Sequence, residues 1–412
     1  MTSYLDTLDA LKPEERWPQV RKWIFAQDRA FYEELRNEEP LLRLPELTIA
    51  SRFVDCDEIL RRYDRFSVAL YQPKQGSYFM AQDDTAQHWR EKSIMKCVLD
   101  FEDVPKIRAF VAERAKSLLA AAKGEIDAVD GLTRAAPIAV VQEWFGYTDS
   151  NPDDLRAWSY WSQMDTFWNQ SFDLNPNAAQ ITANREAGNL ALGKYIVGLV
   201  QQRGTELRAG VKRDDPVTRL ILLANCGGLH DFPPERLILN IGGLLIGAVE
   251  TTSHAAVNVM DFFLKNPELL KDATEAAADS DPTKLDGHVF EALRFRPAFP
   301  YFFRTVTTPT ALGRGLDYED EFQPGETVFA LTHSAMFDEM AFTDPDAFDP
   351  TRGMTNCFHF GLDMHECLGR AIGSVMIPEI VRQALLLKDL KTDAIDQKGG
   401  PVPESWKWRW SA

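Results

Sequence analysis

A chain of 412 residues, 45% hydrophobic and 26% charged, has the composition of an ordinary globular protein and can bury a whole cofactor away from water. Its net charge of −17 argues against a nucleic-acid partner, which calls for a basic face. The five cysteines, Cys56, Cys97, Cys226, Cys357 and Cys367, are odd in number and widely spaced, unlike a disulfide framework. The first fifteen residues carry no apolar stretch of a secretory signal, and the longest apolar run, 237–249, contains Asn240 and is too short to span a bilayer. A soluble, cytoplasmic protein is expected. No linker or repeat divides the chain, so a single domain over 1–412 is expected as well.

In chain order, Trp17, Val20, Trp23 and Ile24 recur at helical spacing, and strands at 42–44 and 47–49 flank a turn at Pro45 and Glu46. Asp55 is the expected cap of a helix through Ile59 and Arg62. The segment 67–82 reads as irregular and aromatic. Helical patterns follow at 87–99, 104–123, 137–144, 152–168, 180–208 and 215–225. Pro233 and Pro234 open a helix expected to run to about Lys265, since proline is tolerated where no N–H donor is needed. After a helix at 284–295 the pattern turns to strands as far as Thr332, with Pro324 and Gly325 as a breaker. A loop rich in Asp, Pro and Phe leads to Cys367, and a helix through Arg382 follows. Trp406, Trp408 and Trp410 alternate with polar residues, as in a half-buried strand at a sheet edge. The chain is mainly α with a minor β part.

The strongest chemical signal is the run Phe360, Gly361, Leu362, Asp363, Met364, His365, Glu366, Cys367, Leu368, Gly369. A cysteine in such a loop, just ahead of a helix, can face backbone N–H groups and a positive helix end, which favours thiolate over thiol. The residues alone leave three readings: a thiolate ligand for iron, an inert buried cysteine, or a zinc site from Cys357, His359, His365 and Cys367. The zinc spacing lacks the usual ligand pairs. A second signal lies in the long apolar helix, where Glu250 and Thr251 interrupt the hydrophobic pattern. A buried acid is costly without partners or work. Thr251 can return its hydroxyl to the Gly247 carbonyl, which bends helices. Glu291 and Arg294 have the spacing of an ion pair on a helix.

The cysteine run resembles the haem-binding loop of the cytochrome P450 family, F-G-x-G-x-H-x-C-x-G. Phe360, Gly361, His365, Cys367 and Gly369 match it, and Asp363 stands where the family usually has glycine. Aspartate tolerates left-handed φ better than most residues, so the bend can survive. The resemblance implies a triangular, mainly helical body around one buried haem b, iron protoporphyrin IX, with Cys367 as its metal ligand and a thiolate that favours O–O cleavage. Gly247 to Thr252 resembles the family's distal-helix motif, with Ala248 replacing a glycine. That implies catalytic roles for Thr251, which would hold dioxygen and a water, and for Glu250, which would pass protons. Glu291 and Arg294 match the E-x-x-R pair that supports the haem loop. Ala347 stands where the family adds a third charged residue, and Arg352 is the nearest substitute.

By the same resemblance His88, Lys92, Arg304 and His365 would bind the haem carboxylates, which need cationic partners when buried. Lys92 replaces an arginine and loses bidentate geometry, and nearby Arg90 is the residue expected to compensate. The family layout draws a substrate pocket from Tyr78, Phe79, Phe167, Trp168, Gly247, Phe299, Tyr301 and Phe302. The chain has no flavin or nicotinamide fingerprint and no iron–sulfur cysteine cluster. The implied activity is therefore a monooxygenase fed by a separate ferredoxin- or flavodoxin-type donor and its reductase, docking through Lys96, Arg108 and Arg370. A peroxygenase, a haem-thiolate isomerase, and a non-enzymatic haem- or zinc-binding protein are the alternatives.

Overall fold

The computed structural model describes residues 3–226, 229 and 232–411. Most of them are helical. In chain order the strands are β1 (Leu41–Arg43), β2 (Thr48–Ala50), β3 (Phe66–Ser67), β4 (Glu125–Asp127), β5 (Phe302–Val306), β6 (Thr310–Leu312), β7 (Asp320–Phe322), β8 (Thr327–Ala330), β9 (Lys388–Thr392) and β10 (Lys407–Ser411). The chain forms two compact units, each built from two separate stretches: 1–88 with 290–367, and 89–289 with 368–412. With each unit discontinuous, no single linker marks a boundary in the sequence.

The first unit is built on a five-stranded sheet in the order β1-β2-β8-β5-β3, in which only β2 and β8 run parallel. Its core gathers Ile59, Phe66, Val306, Phe322, Val328 and Phe358. Phe358 belongs to the segment leading into the cysteine run, so that run is anchored in the core at its start. The Pro13–Ala26 helix buries Trp17, Val20 and Ile24, as the spacing predicts. Asp55 is not a cap. Its helix, Phe53–Arg61, begins two residues earlier, and Asp338 accepts from the Phe53 N–H at 2.9 Å instead. Buried Asp55 accepts from Gly313 N–H at 2.9 Å and Tyr318 O–H at 3.0 Å. An aspartate beside a helix start reads as a cap until its distant partners are known.

The second unit is chiefly helical. Asn151 and Asp215 accept backbone N–H groups at the starts of the Pro152–Trp168 and Pro216–Asn225 helices, each with proline in the first turn. The helix expected at 137–144 starts earlier. It is a run of π-helical turns, Val129–Arg134 and Val140–Trp144, about a short α segment, Ala135–Ala139. The long apolar helix is two helices, Pro234–Ala248 and Glu250–Lys265, broken at Val249 with φ −89° and ψ −68°. The break follows from Thr251, whose hydroxyl donates to Gly247 O at 2.7 Å, competing for a carbonyl of the helix ladder. β10 is the middle strand of a β4-β10-β9 sheet, not an edge, with Trp408 fully buried. No helix among the described residues is long and apolar enough to cross a membrane.

Candidate haem-thiolate site

In the first unit the cysteine run is a tight loop held by its own backbone. Cys367 N–H donates to Phe360 O at 2.7 Å, Glu366 N–H to Asp363 O at 3.0 Å, and Gly361 N–H to Phe358 O at 3.0 Å. Gly361 has φ +68°, and a β-carbon there would meet His365 O at 3.2 Å, so glycine is required. Asp363 adopts φ +54°, the left-handed conformation expected of the residue that replaces glycine. Gly369 caps the Arg370–Leu385 helix that follows. The Cys367 side chain is exposed, unlike fully buried Cys56, which removes the reading of Cys367 as an inert core cysteine. The zinc reading finds no support: among the described residues no group of three or more His, Cys, Asp or Glu could hold a metal ion. Burial pushes the Cys357 thiol up to about 12, and the His359 ring lies against Phe290 instead.

Glu291 and Arg294 form the expected pair, bidentate at 2.7 and 3.0 Å. Arg294 is fully buried and also donates to Met336 O at 3.0 Å and Ala347 O at 3.2 Å. Arg352 supplies the third charge, its Nε 3.3 Å from Glu291 and its Nη2 3.2 Å from Ala347 O. Ala347 thus serves by its carbonyl alone. Asp349 N–H completes the cluster on Glu291 at 3.1 Å, so the segment ahead of the cysteine run is fixed at several backbone points.

Arg304, on β5, is buried and donates to Phe303 O at 2.8 Å, and none of the ion pairs among the described residues includes it. Burial holds its pKa below the usual arginine value, despite the opposing influence of Tyr71 and Asp83. The side chain of His365 is only 7% exposed. Its Nε2 makes a long 3.4 Å contact with Asp83, and its Nδ1 has no hydrogen-bond partner among the described residues. Burial pushes it down to about 4, against the pull of Asp83. His88 is fully buried, with Nδ1 2.8 Å from Phe79 O and its ring 5.4 Å from that of His365. A buried guanidinium with no close ion-pair partner among the described residues, beside a histidine nitrogen with an open hydrogen-bonding position, is the donor set an anionic group such as a haem carboxylate requires. The residues fit the cofactor. Asp83, which also takes the Val68 N–H at 3.0 Å, was not anticipated.

In the second unit Lys92 is buried one turn after His88 on the Ala86–Val98 helix, on the same face, and Arg90 is half-buried. Its neighbour Glu91 takes both arms of Arg236 at 2.6 Å and Asn240 at 2.8 Å, a buried network that helical periodicity alone did not reveal. Glu250 is buried against Arg134 at 2.9 Å. Burial, only partly offset by Arg134, raises its pKa to about 7. Gly247 is exposed, Phe167 half-buried and Trp168 buried. In the first unit Tyr301 stacks on Phe329 at 4.5 Å and Phe79 meets Tyr78 in a tilted contact at 4.7 Å, while Phe299 and Phe302 are half-buried. Arg108 is not available for docking, because it is ion-paired with Asp286 at 2.6 Å and Glu379 at 3.0 Å. Lys96 and Arg370 are exposed.

A mainly helical chain with an exposed cysteine in a tight loop, and a buried arginine and histidine suited to an anionic cofactor, fits a haem-thiolate protein. Residues 48–387 match the cytochrome P450 family model, and the chain belongs to that family. It is 26% identical to cytochrome P450 107B1 of Saccharopolyspora erythraea, over 94% of this chain and 93% of that one. It is 26% identical to a steroid C26-monooxygenase of Mycobacterium tuberculosis, over 89% and 88%. The fold is similar to that of CYP109E1 from Bacillus megaterium in complex with testosterone, with a TM-score of 0.77 at 18% identity, covering 98% of this chain and all of that one. The protein is a cytochrome P450 monooxygenase with haem as its cofactor.

Proposed function

We propose that this P450 inserts one atom of O2 into an apolar or aromatic small molecule in the cytoplasm, with electrons from a separate ferredoxin- or flavodoxin-type donor and its reductase. Haem, when bound, supplies oxygen activation at a thiolate-ligated iron. Cys367 holds the iron, with Phe360, Gly361 and Gly369 shaping its loop. Arg304, His365, His88 and Lys92 would hold the haem carboxylates, and Glu291 with Arg294 stiffens the approach to the cysteine. The whole chain, 1–412, acts as one catalytic domain.

The observation that carries this reading is the pair Glu250–Thr251 at a helix break. Thr251 spends its proton on Gly247 O, which leaves its oxygen free to accept from a water and so to orient one. Glu250, raised to about 7, can both take and release a proton near neutral pH. A peroxide-dependent enzyme or an isomerase needs no such pair. Thr251→Ala is therefore expected to lower product per NADH by about tenfold or more, the electrons appearing as hydrogen peroxide, with substrate binding retained. Full coupling in that variant removes the proton-relay role.

The aromatic side chains Tyr78, Phe79, Phe167, Phe299 and Tyr301 support an apolar substrate, for which steroids, terpenes, fatty acids and simple aromatics form the panel to screen by spin-state shift. Lys96 supports docking of an acidic donor. Lys96→Glu is expected to slow first-electron transfer by about threefold to tenfold at low ionic strength, with the difference vanishing in high salt. An unchanged rate at low salt removes Lys96 from the docking surface.

A further inference from the structure

The carboxylate of Glu250, held by Arg134, joins a cluster drawn from distant parts of the second unit. Its Oε2 accepts from Arg134 Nε at 3.0 Å and Nη2 at 2.9 Å. The same guanidinium binds Asp130 at 3.0 Å and Glu404 at 3.4 Å. Tyr160 donates its hydroxyl to the other oxygen of Glu404 at 2.6 Å, and Arg156 binds Asp130 at 2.9 Å. Arg134 ends the π-helical stretch Val129–Arg134, and wide turns of this kind are frequent at functional sites.

Charge and exposure are both ordered along this cluster. Three carboxylates (Asp130, Glu250, Glu404) face two guanidiniums (Arg134, Arg156), and Arg156 is further shared with Asp153 at 3.2 Å. With Asp153 counted, two negative charges are in excess, which favours uptake of a proton. Side-chain exposure rises from 7% at Glu250 through 12% at Glu404 to 42% at Asp130. The cluster thus runs from a buried acid on the distal helix to the surface. A guanidinium does not give up its proton in a protein, so Arg134 can only fix geometry, and protons must move by way of the carboxylates and water.

We propose that Arg134 is a positioning residue for Glu250, and that protons reach Glu250 from solvent by way of the carboxylates of Asp130 and Glu404 that Arg134 gathers. The proposal rests on the reading of Glu250 as proton carrier. Among the described residues, the charged or titratable groups acting on Glu250 are Arg134 and Asp130 from the π-helical stretch and Glu404 from the segment before β10, with Tyr160 of the Pro152–Trp168 helix behind Glu404. Arg134 favours the charged carboxylate, whereas burial, Glu404 and Asp130 favour the protonated form.

Infrared titration of the purified ferric holoenzyme tests this without turnover. Wild type is expected to show the carbonyl band of one protonated carboxyl, lost on Glu250→Gln, with a midpoint near pH 7. Arg134→Gln should raise that midpoint by about one to three pH units, and the isosteric Glu404→Gln should lower it. Alongside, Arg134→Gln should cut product per NADH by about tenfold while the substrate-induced spin shift is kept. Unmoved midpoints in both variants overturn the proposal. Where Arg134→Gln does not fold, Glu404→Gln decides alone, and an unmoved midpoint there overturns it. Full coupling in Glu250→Gln sinks the proton-carrier reading itself, whereas full coupling in Arg134→Gln alone sinks only the role given to Arg134.

Discussion

Cys367→Ser is expected to abolish the far red-shifted Soret band of the reduced protein with carbon monoxide, and turnover with it. The substitution is conservative for the backbone. The hydrogen bond from the Cys367 N–H to Phe360 O does not involve sulfur, and the left-handed turns at Gly361 and Asp363 lie earlier in the loop. Arg304, His365 and His88, which we propose would hold the cofactor carboxylates, are untouched. Only the donor atom changes, and a serine hydroxyl cannot supply the electron density that a thiolate gives to iron. A variant with the wild-type spectrum, or wild-type protein that stays colourless after haem supplementation, would end the assignment of Cys367.

Glu291→Ala is expected to cost about 3–5 kcal/mol of stability, the range for removing one partner of a buried ion pair. It leaves the fully buried Arg294 guanidinium without its carboxylate and releases Asp349 N–H and Arg352 at the same time. Denaturant unfolding followed by secondary-structure loss measures the cost, and haem retention during purification reports the effect on the cysteine loop. Because Met336 O and Ala347 O still hold Arg294, the segment should loosen rather than refold elsewhere. A loss below about 1 kcal/mol would mean that the pair is not what fixes this part of the first unit.

What the sequence made legible was local. The cysteine loop lies within ten consecutive residues, and its glycine at 361 and its aspartate at 363 adopt the left-handed conformations that their side chains allow. The Glu291–Arg294 pair sits one turn apart on a helix, so its spacing allowed an ion pair and its place ahead of the cysteine, by resemblance to the family, singled it out. The illegible parts were joined across the chain. Asp55 meets Gly313, Glu91 meets Arg236, and Arg134 meets both Glu250 and Glu404, pairings that no periodicity encodes. The apolar pattern runs straight through Val249, because a helix can break without any change in which residues are buried. Alternation of Trp406, Trp408 and Trp410 told that β10 has two faces, but strand neighbours on either side are set by tertiary structure, and β10 took the centre.

The interrupted make-up of the two units shapes how the protein is made. β2, at residues 48–50, waits for β8, at 328–330, and β4, at 125–127, waits for β10, at 407–411. Pairings so far apart in sequence pay their loop-closure entropy before any contact rewards them, so they form late. During synthesis the early strands emerge with unpaired edges long before their partners exist, and such edges invite aggregation. Yield in a foreign host should therefore depend more on translation rate and chaperone supply than on the stability of the finished fold.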